Sequence, residues 1–128
     1  MTTETTTPTT TAPTFLVTAG AHVGMPSMEI PGTLGFIQDT YENPQDSVMC
    51  SGYFELQHAD EPLLYEYHYD EMKVVLEGEF LLRNVDTGQE MVARKHDAIF
   101  FPQGSRIEFS TPDRALAFYA GHRDASLL

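Results

Sequence analysis

Between Leu63 and Phe80 the chain reads LLYEYHYDEMKVVLEGEF, and over most of that length its character alternates with period two. Strict alternation marks a strand whose two faces meet different surroundings. Counted along the run, Tyr65, Tyr67, Tyr69, Glu71 and Lys73 fall on one side. Glu66, His68, Asp70 and Met72 fall on the other. A row of phenols beside a carboxylate and an amine is a poor choice for an ordinary core. The pattern predicts one long strand bordering a polar pocket inside a β-fold.

The rest of the chain reads as short strands between turns. Val48 to His58 is a strand in which Phe54 and Leu56 share a face with His58. Glu79 to Val85 leads into a turn at Asp86-Thr87-Gly88 and returns through Gln89 to Arg94 as a hairpin. His96-Asp97 turns where glycine would sit more easily, since a left-handed backbone is costly for a residue with a Cβ. Ala98 to Phe101, Arg106 to Ser110 and Ala115 to Gly121 are further strands, with turns at Pro102 to Ser105 and Thr111 to Arg114. Upstream, Phe15 to Val23 and Thr33 to Thr40 are so interrupted by Gly and Pro that they fit short edge strands and turns. A helix has room only near the C-terminus. Strands at this spacing predict an all-β sandwich or small barrel.

At 128 residues the chain has room for one domain. Residues 1–14, MTTETTTPTTTAPT, offer no large aliphatic side chain to anchor them, so a disordered Thr-rich tail is expected there, with the barrel over residues 15–128. The tail lacks the charged start and apolar stretch of a secretory signal, and no apolar run is long enough to cross a bilayer. A lone cysteine, Cys50, excludes an internal disulfide and fits a reducing cytoplasm. Seven Lys and Arg stand against 19 Asp and Glu, a net charge of −12. Such a surface repels phosphate backbones and anionic lipid, so neither nucleic acid nor membrane is expected as a partner.

Glu71 is followed, after six residues, by Gly78. Further on, His96 is followed after five residues by Pro102-Gln103-Gly104. These spacings are similar to the two motifs of the cupins, with His96 in place of the second motif's first Gly. More narrowly, Tyr69-Asp70-Glu71, Val75 to Glu79, Pro102 to Ser105 and Ile107-Glu108-Phe109 resemble the ethanolamine-utilisation Q-like cupins, over roughly residues 48–121. The resemblance implies a single-domain double-stranded β-helix, or jelly-roll, barrel. It also implies a homodimer, since small cupins commonly pair. A metal cupin takes two histidines and the Glu from its first motif and a third histidine from its second. Those positions here hold Tyr65, Tyr67, Glu71 and Ile107, and the ethanolamine-type relatives depart from the usual ligands likewise. An isoleucine ligates nothing, and a neutral phenol is a poor ligand beside imidazole. The resemblance further raises a nucleotide-dependent acyl-phosphate activity, for which the few basic residues and the missing Gly-rich phosphate loop give little support.

Glu71 is therefore the first candidate for chemistry. A carboxylate inside a small barrel needs a partner, and burial raises its pKa toward the range useful for acid/base work. Lys73 shares its face if the strand stays regular, whereas a bulge after Glu71 would send Lys73 to solvent. Tyr65 and Tyr67 could orient a substrate oxygen or share a proton with Glu71. Tyr69, Phe54, His58, Phe109 and Ile107 complete the expected substrate-binding surface. No cofactor is expected with the usual ligands gone, and a divalent metal would need a replacement set such as His58 and Glu71 with one further residue. His68 should face outward or into a subunit contact. The expected function is an enzyme acting on a small polar metabolite by acid/base chemistry, as a lyase, isomerase or hydrolase-like step. The alternative is a non-catalytic cupin that binds a small molecule or a partner in a catabolic pathway, which a filled core would favour.

Overall fold

Among the described residues, 12–43 and 48–123, this computed structural model has eight β-strands and no helix. They are β1 (Leu34–Glu42), β2 (Cys50–Gln57), β3 (Leu63–Glu66), β4 (Glu71–Asn84), β5 (Glu90–Arg94), β6 (Ala98–Phe101), β7 (Arg106–Ser110) and β8 (Arg114–Gly121). Residues 1–11 of the expected tail and the C-terminal room for a helix at 124–128 lie outside the described residues. No helix of the described residues is long and apolar enough to cross a membrane.

Every strand pairing is antiparallel. One sheet runs β1-β2-β8-β4-β6 and the other β3-β7-β4-β5, so β4 belongs to both. Its first half, from Glu71, lies between β6 and β8, and its second half lies between β5 and β7. The strand changes sheet at a bulge between Val75 and Glu77. Gly78 makes that corner possible: its φ is +69°, and a Cβ there would stand 1.9 Å from the Arg114 carbonyl oxygen. The two curled sheets enclose one core of Phe54, Leu63, Val75, Phe80, Phe109 and their neighbours, and this is the expected all-β jelly-roll barrel.

Two expectations change. The Leu63–Phe80 run is two strands in different sheets: β3 pairs with β7, and the chain crosses at residues 67–70 before β4 begins. Tyr67 holds the crossing by exchanging backbone hydrogen bonds with Gly104 and Ser105. The alternation survives because the chain bends around the barrel axis, keeping its odd-numbered side chains inward. Phe15 to Val23 is not a strand. The free edge of β1 is already occupied, since the Met28 N–H donates to the Gly35 carbonyl at 2.9 Å and the Ile37 N–H to the Pro26 carbonyl at 3.1 Å. Thr33 to Thr40, by contrast, does supply the edge strand β1. His96 takes a φ of +76° in its turn, the strained position read from the sequence.

Candidate functional site

The inner face of the first sheet sets the centre. Glu71 and Lys73 open β4, and the bulge comes four residues after Glu71, too late to turn Lys73 outward. Both side chains are buried, and Lys73 Nζ donates to Glu71 Oε2 at 2.5 Å. The Tyr67 hydroxyl donates to the same oxygen at 2.8 Å. Lys73 Nζ also lies over four rings: Tyr119 at 5.0 Å, Phe54 at 5.2 Å, Phe109 at 5.8 Å and Phe101 at 5.9 Å. Ring faces carry negative electrostatic potential, so this box helps replace the hydration the ammonium has lost.

The phenols close the centre. Tyr67 stacks on Phe101 with ring centroids 4.8 Å apart and meets Tyr65 and Tyr69 edge-on. The Tyr65 and Tyr69 hydroxyls are 2.5 Å apart. Burial raises the pKa of all three above the ordinary phenol value. Tyr67 is raised first by burial and next by the Glu71 charge it faces, and Tyr69 is also held neutral by the Tyr65 hydroxyl. The cluster is therefore rich in protons that it holds tightly.

Sequence reasoning missed a second buried cluster beside the first. Arg123 forms a fork to Asp39, with its Nη1 3.0 Å from Oδ2 and its Nη2 2.9 Å from Oδ1. The Tyr119 hydroxyl donates to Asp39 Oδ1 at 2.5 Å. The Arg123 guanidinium lies 5.0 Å over the Tyr69 ring, joining the two clusters. Period two does carry the signal. Asp39 is in phase with Gly35 and Ile37, and Arg123 with Ala115, Ala117, Tyr119 and Gly121. Gly52 makes room for this cluster, since a Cβ there would meet the Tyr119 hydroxyl at 2.5 Å.

Tyr65, Tyr67, Tyr69, Glu71, Lys73, Phe54 and Phe109 surround one void together with Met28, Ile37 and Leu63. Its volume is about 10 Å³, the least that admits a single water. Two expected members are elsewhere. His58 is exposed, with its Nδ1 2.9 Å from the Thr111 carbonyl and its backbone N–H donating to Asp113. It leaves the inward row because β2 ends at Gln57 and the chain turns. Ile107 points to a different space, a groove of about 580 Å³ on the β5–β6 side of the barrel. Leu82, Ala93, Ile99, Phe101 and Ile107 line its apolar floor, and Asn84, Gln89, Asp97 and Ser105 lie along it as polar groups. Half of the barrel is plugged and half is open.

The metal that cupins carry does not fit here. Of the four positions that would hold it, Tyr65 and Tyr67 are engaged as neutral phenols, Glu71 is bound by Lys73 and Tyr67, and Ile107 has no donor atom. Nor do any three His, Cys, Asp or Glu residues gather as a metal group among the described residues.

Residues 25–123 match the family described as ethanolamine utilisation protein EutQ. That span is most of the chain. The chain belongs to the EutQ family. An acetate kinase EutQ of Salmonella typhimurium is 35% identical over 83 residues, covering 65% of this chain but 34% of the relative. This EutQ-family chain thus spans about a third of that curated relative. A crystal structure of an ethanolamine utilisation protein Q from Salmonella typhimurium superposes with a TM-score of 0.63 at 31% identity, covering 71% of both chains. The cupin domain of Schizosaccharomyces pombe Cnp3 superposes at 0.60 with 11% identity, covering 73% of this chain and 67% of that one, a likeness of fold alone.

Proposed function

We propose that this EutQ-family cupin is a binding module of ethanolamine catabolism, holding a small molecule in the β5–β6 groove, and that its Glu71 centre is structural. One contrast carries the reading: about 10 Å³ at Glu71 against about 580 Å³ in the groove. Small-molecule sites are commonly clefts of roughly 300–1,000 Å³ with apolar walls and a few polar groups, and the groove has both. General acid/base work by Glu71 needs a reacting atom within hydrogen-bond reach, and Lys73, Tyr67 and the surrounding rings fill that space. The acetate kinase activity that names the curated relative belongs to a longer chain, of which the match covers only 34%.

Ethanolamine, acetate and ATP, each titrated to about 10 mM, test the reading by NMR of labelled methyl groups; millimolar affinity is the weakest worth detecting. Saturable shifts at Ile99, Ile107, Leu82 and Met91 for at least one of the three are expected, with no acetyl phosphate formed from acetate and ATP. Turnover of any of them that is lost in Glu71→Gln would return the chemistry to the barrel centre and overturn the proposal. So would a titration in which none of the three moves a groove methyl.

A further inference from the structure

The β5–β6 groove holds a single charge. Asp97 is acidic, and every other residue along the groove is neutral. Backbone groups fix the carboxylate in place. Its Oδ2 accepts the Arg94 N–H at 2.8 Å, the Asp97 N–H donates to the Arg94 carbonyl at 2.8 Å, and the Asp97 carbonyl accepts the Val75 N–H at 3.0 Å. These bonds tie Asp97 to the corner where β4 changes sheet. Its Oδ1 accepts no hydrogen bond and meets no basic side chain among the described residues.

The cations of the chain are elsewhere. Six of the seven Lys and Arg are paired with carboxylates that do not line the groove, and the seventh, Lys95, does not line it either. An anion entering the groove would meet one carboxylate and no cation, in a chain whose net charge of −12 already repels it. A cation is attracted by both.

The other end of the groove is neutral and polar. Asn84 Oδ1 accepts the N–H groups of Asp86 and Thr87 at 3.0 and 3.2 Å, which leaves its amide nitrogen to donate, and Gln89 is its partner across the hairpin. Strand β5, five residues long, lies between Gln89 and the Asp97 corner. At about 3.3 Å per residue it sets the two ends roughly 15 Å apart, with the apolar floor between them.

We propose that the groove takes an amphipathic amine, with a primary ammonium donating to Asp97 Oδ1 and an extended hydrocarbon chain lying along the floor. A polar group at the far end of that chain would meet the Asn84 amide. The inference rests on the groove being a small-molecule site and adds the chemical class of the ligand. Ethanolamine, with two carbons, would leave most of the floor uncovered and should bind more weakly than longer amines.

Hexylamine, butylamine, 1-hexanol and hexanoate, each titrated to about 10 mM against the full chain at about pH 7 and followed through the groove methyl groups, test the proposal. Hexylamine should bind at least about tenfold tighter than 1-hexanol, the gain of a hydrogen bond between charged groups. It should exceed butylamine by about tenfold, since each buried methylene contributes up to about fourfold. Hexanoate should leave the groove methyls unmoved. Asp97→Asn keeps an oxygen for the Arg94 N–H, and it should weaken hexylamine about tenfold while leaving 1-hexanol unchanged. Hexanoate or 1-hexanol binding as tightly as hexylamine overturns the ligand class, as does unaltered hexylamine binding in Asp97→Asn or equal binding of butylamine. In each of those results the groove methyls still move, so the groove remains a small-molecule site. If no probe moves them, the site and the ligand class fall together.

Discussion

Lys73 decides what the barrel centre can do. Its ammonium, Glu71 and the Tyr67 hydroxyl form a unit whose charges are matched inside the protein. Removing one partner of such a pair strands the other without water, which costs about 3–5 kcal/mol, while replacing both by groups of similar shape costs far less. Lys73→Met should therefore lower unfolding stability by about 3–5 kcal/mol, and Glu71→Gln with Lys73→Met should recover most of the loss, both read by urea denaturation. A double variant as unstable as the single one would mean that the box needs the cation itself. The inward row Tyr65, Tyr67, Tyr69, Glu71 and Lys73 was legible from period two alone, because that alternation depends on nothing beyond the chain. That Lys73 would fill the hollow was not legible. It depends on Phe54, Phe101, Phe109 and Tyr119 arriving from four other strands to seat the ammonium.

At the scale of elements, the corner of β4 is the most constrained place in the fold. Gly78 combines a left-handed backbone with a carbonyl where a side chain would begin. Gly78→Ala should destabilise the protein by about 2–4 kcal/mol, since both the strain and the clash must be relieved by moving β8. Gly88 is the internal control: it is left-handed but has nothing near its missing Cβ, so Gly88→Ala should cost about 1 kcal/mol, from strain alone. Thermal denaturation of the two variants checks the difference. Strands β6 and β7 fall where turn chemistry at Pro102 to Ser105 and Thr111 to Arg114 places them, and local signals suffice for them. The division of Leu63–Phe80 between two sheets was hidden, since a crossing at residues 67–70 preserves the alternation. The exposure of Phe15–Val17 was hidden too, because it follows from Pro26 to Met28 having taken the edge of β1.

For the molecule as a whole, buried phenols set a limit at high pH. Tyr65, Tyr67, Tyr69 and Tyr119 all have folded-state pKa values above the ordinary 10, from burial first, and burial pushes the Cys50 thiol up from 9.0 to about 11. The sign follows from linkage. The unfolded chain releases these protons first, so the stability they contribute is complete below pH 9 and is lost as pH rises through 9 to 11 and beyond. Denaturation free energy should fall in that window, by up to about 1.4 kcal/mol per pH unit for each group still protonated in the fold. A curve that is flat to pH 11 would contradict the burial of these groups. A wider consequence belongs to β4, which runs without a break through both sheets. A jelly roll with separate halves could part like a hinged shell and admit a large guest between them. Here the shared strand is the hinge pin as well as a stave of each half, so the shell cannot gape without coming apart. Whatever enters must fit the side slot that already stands open.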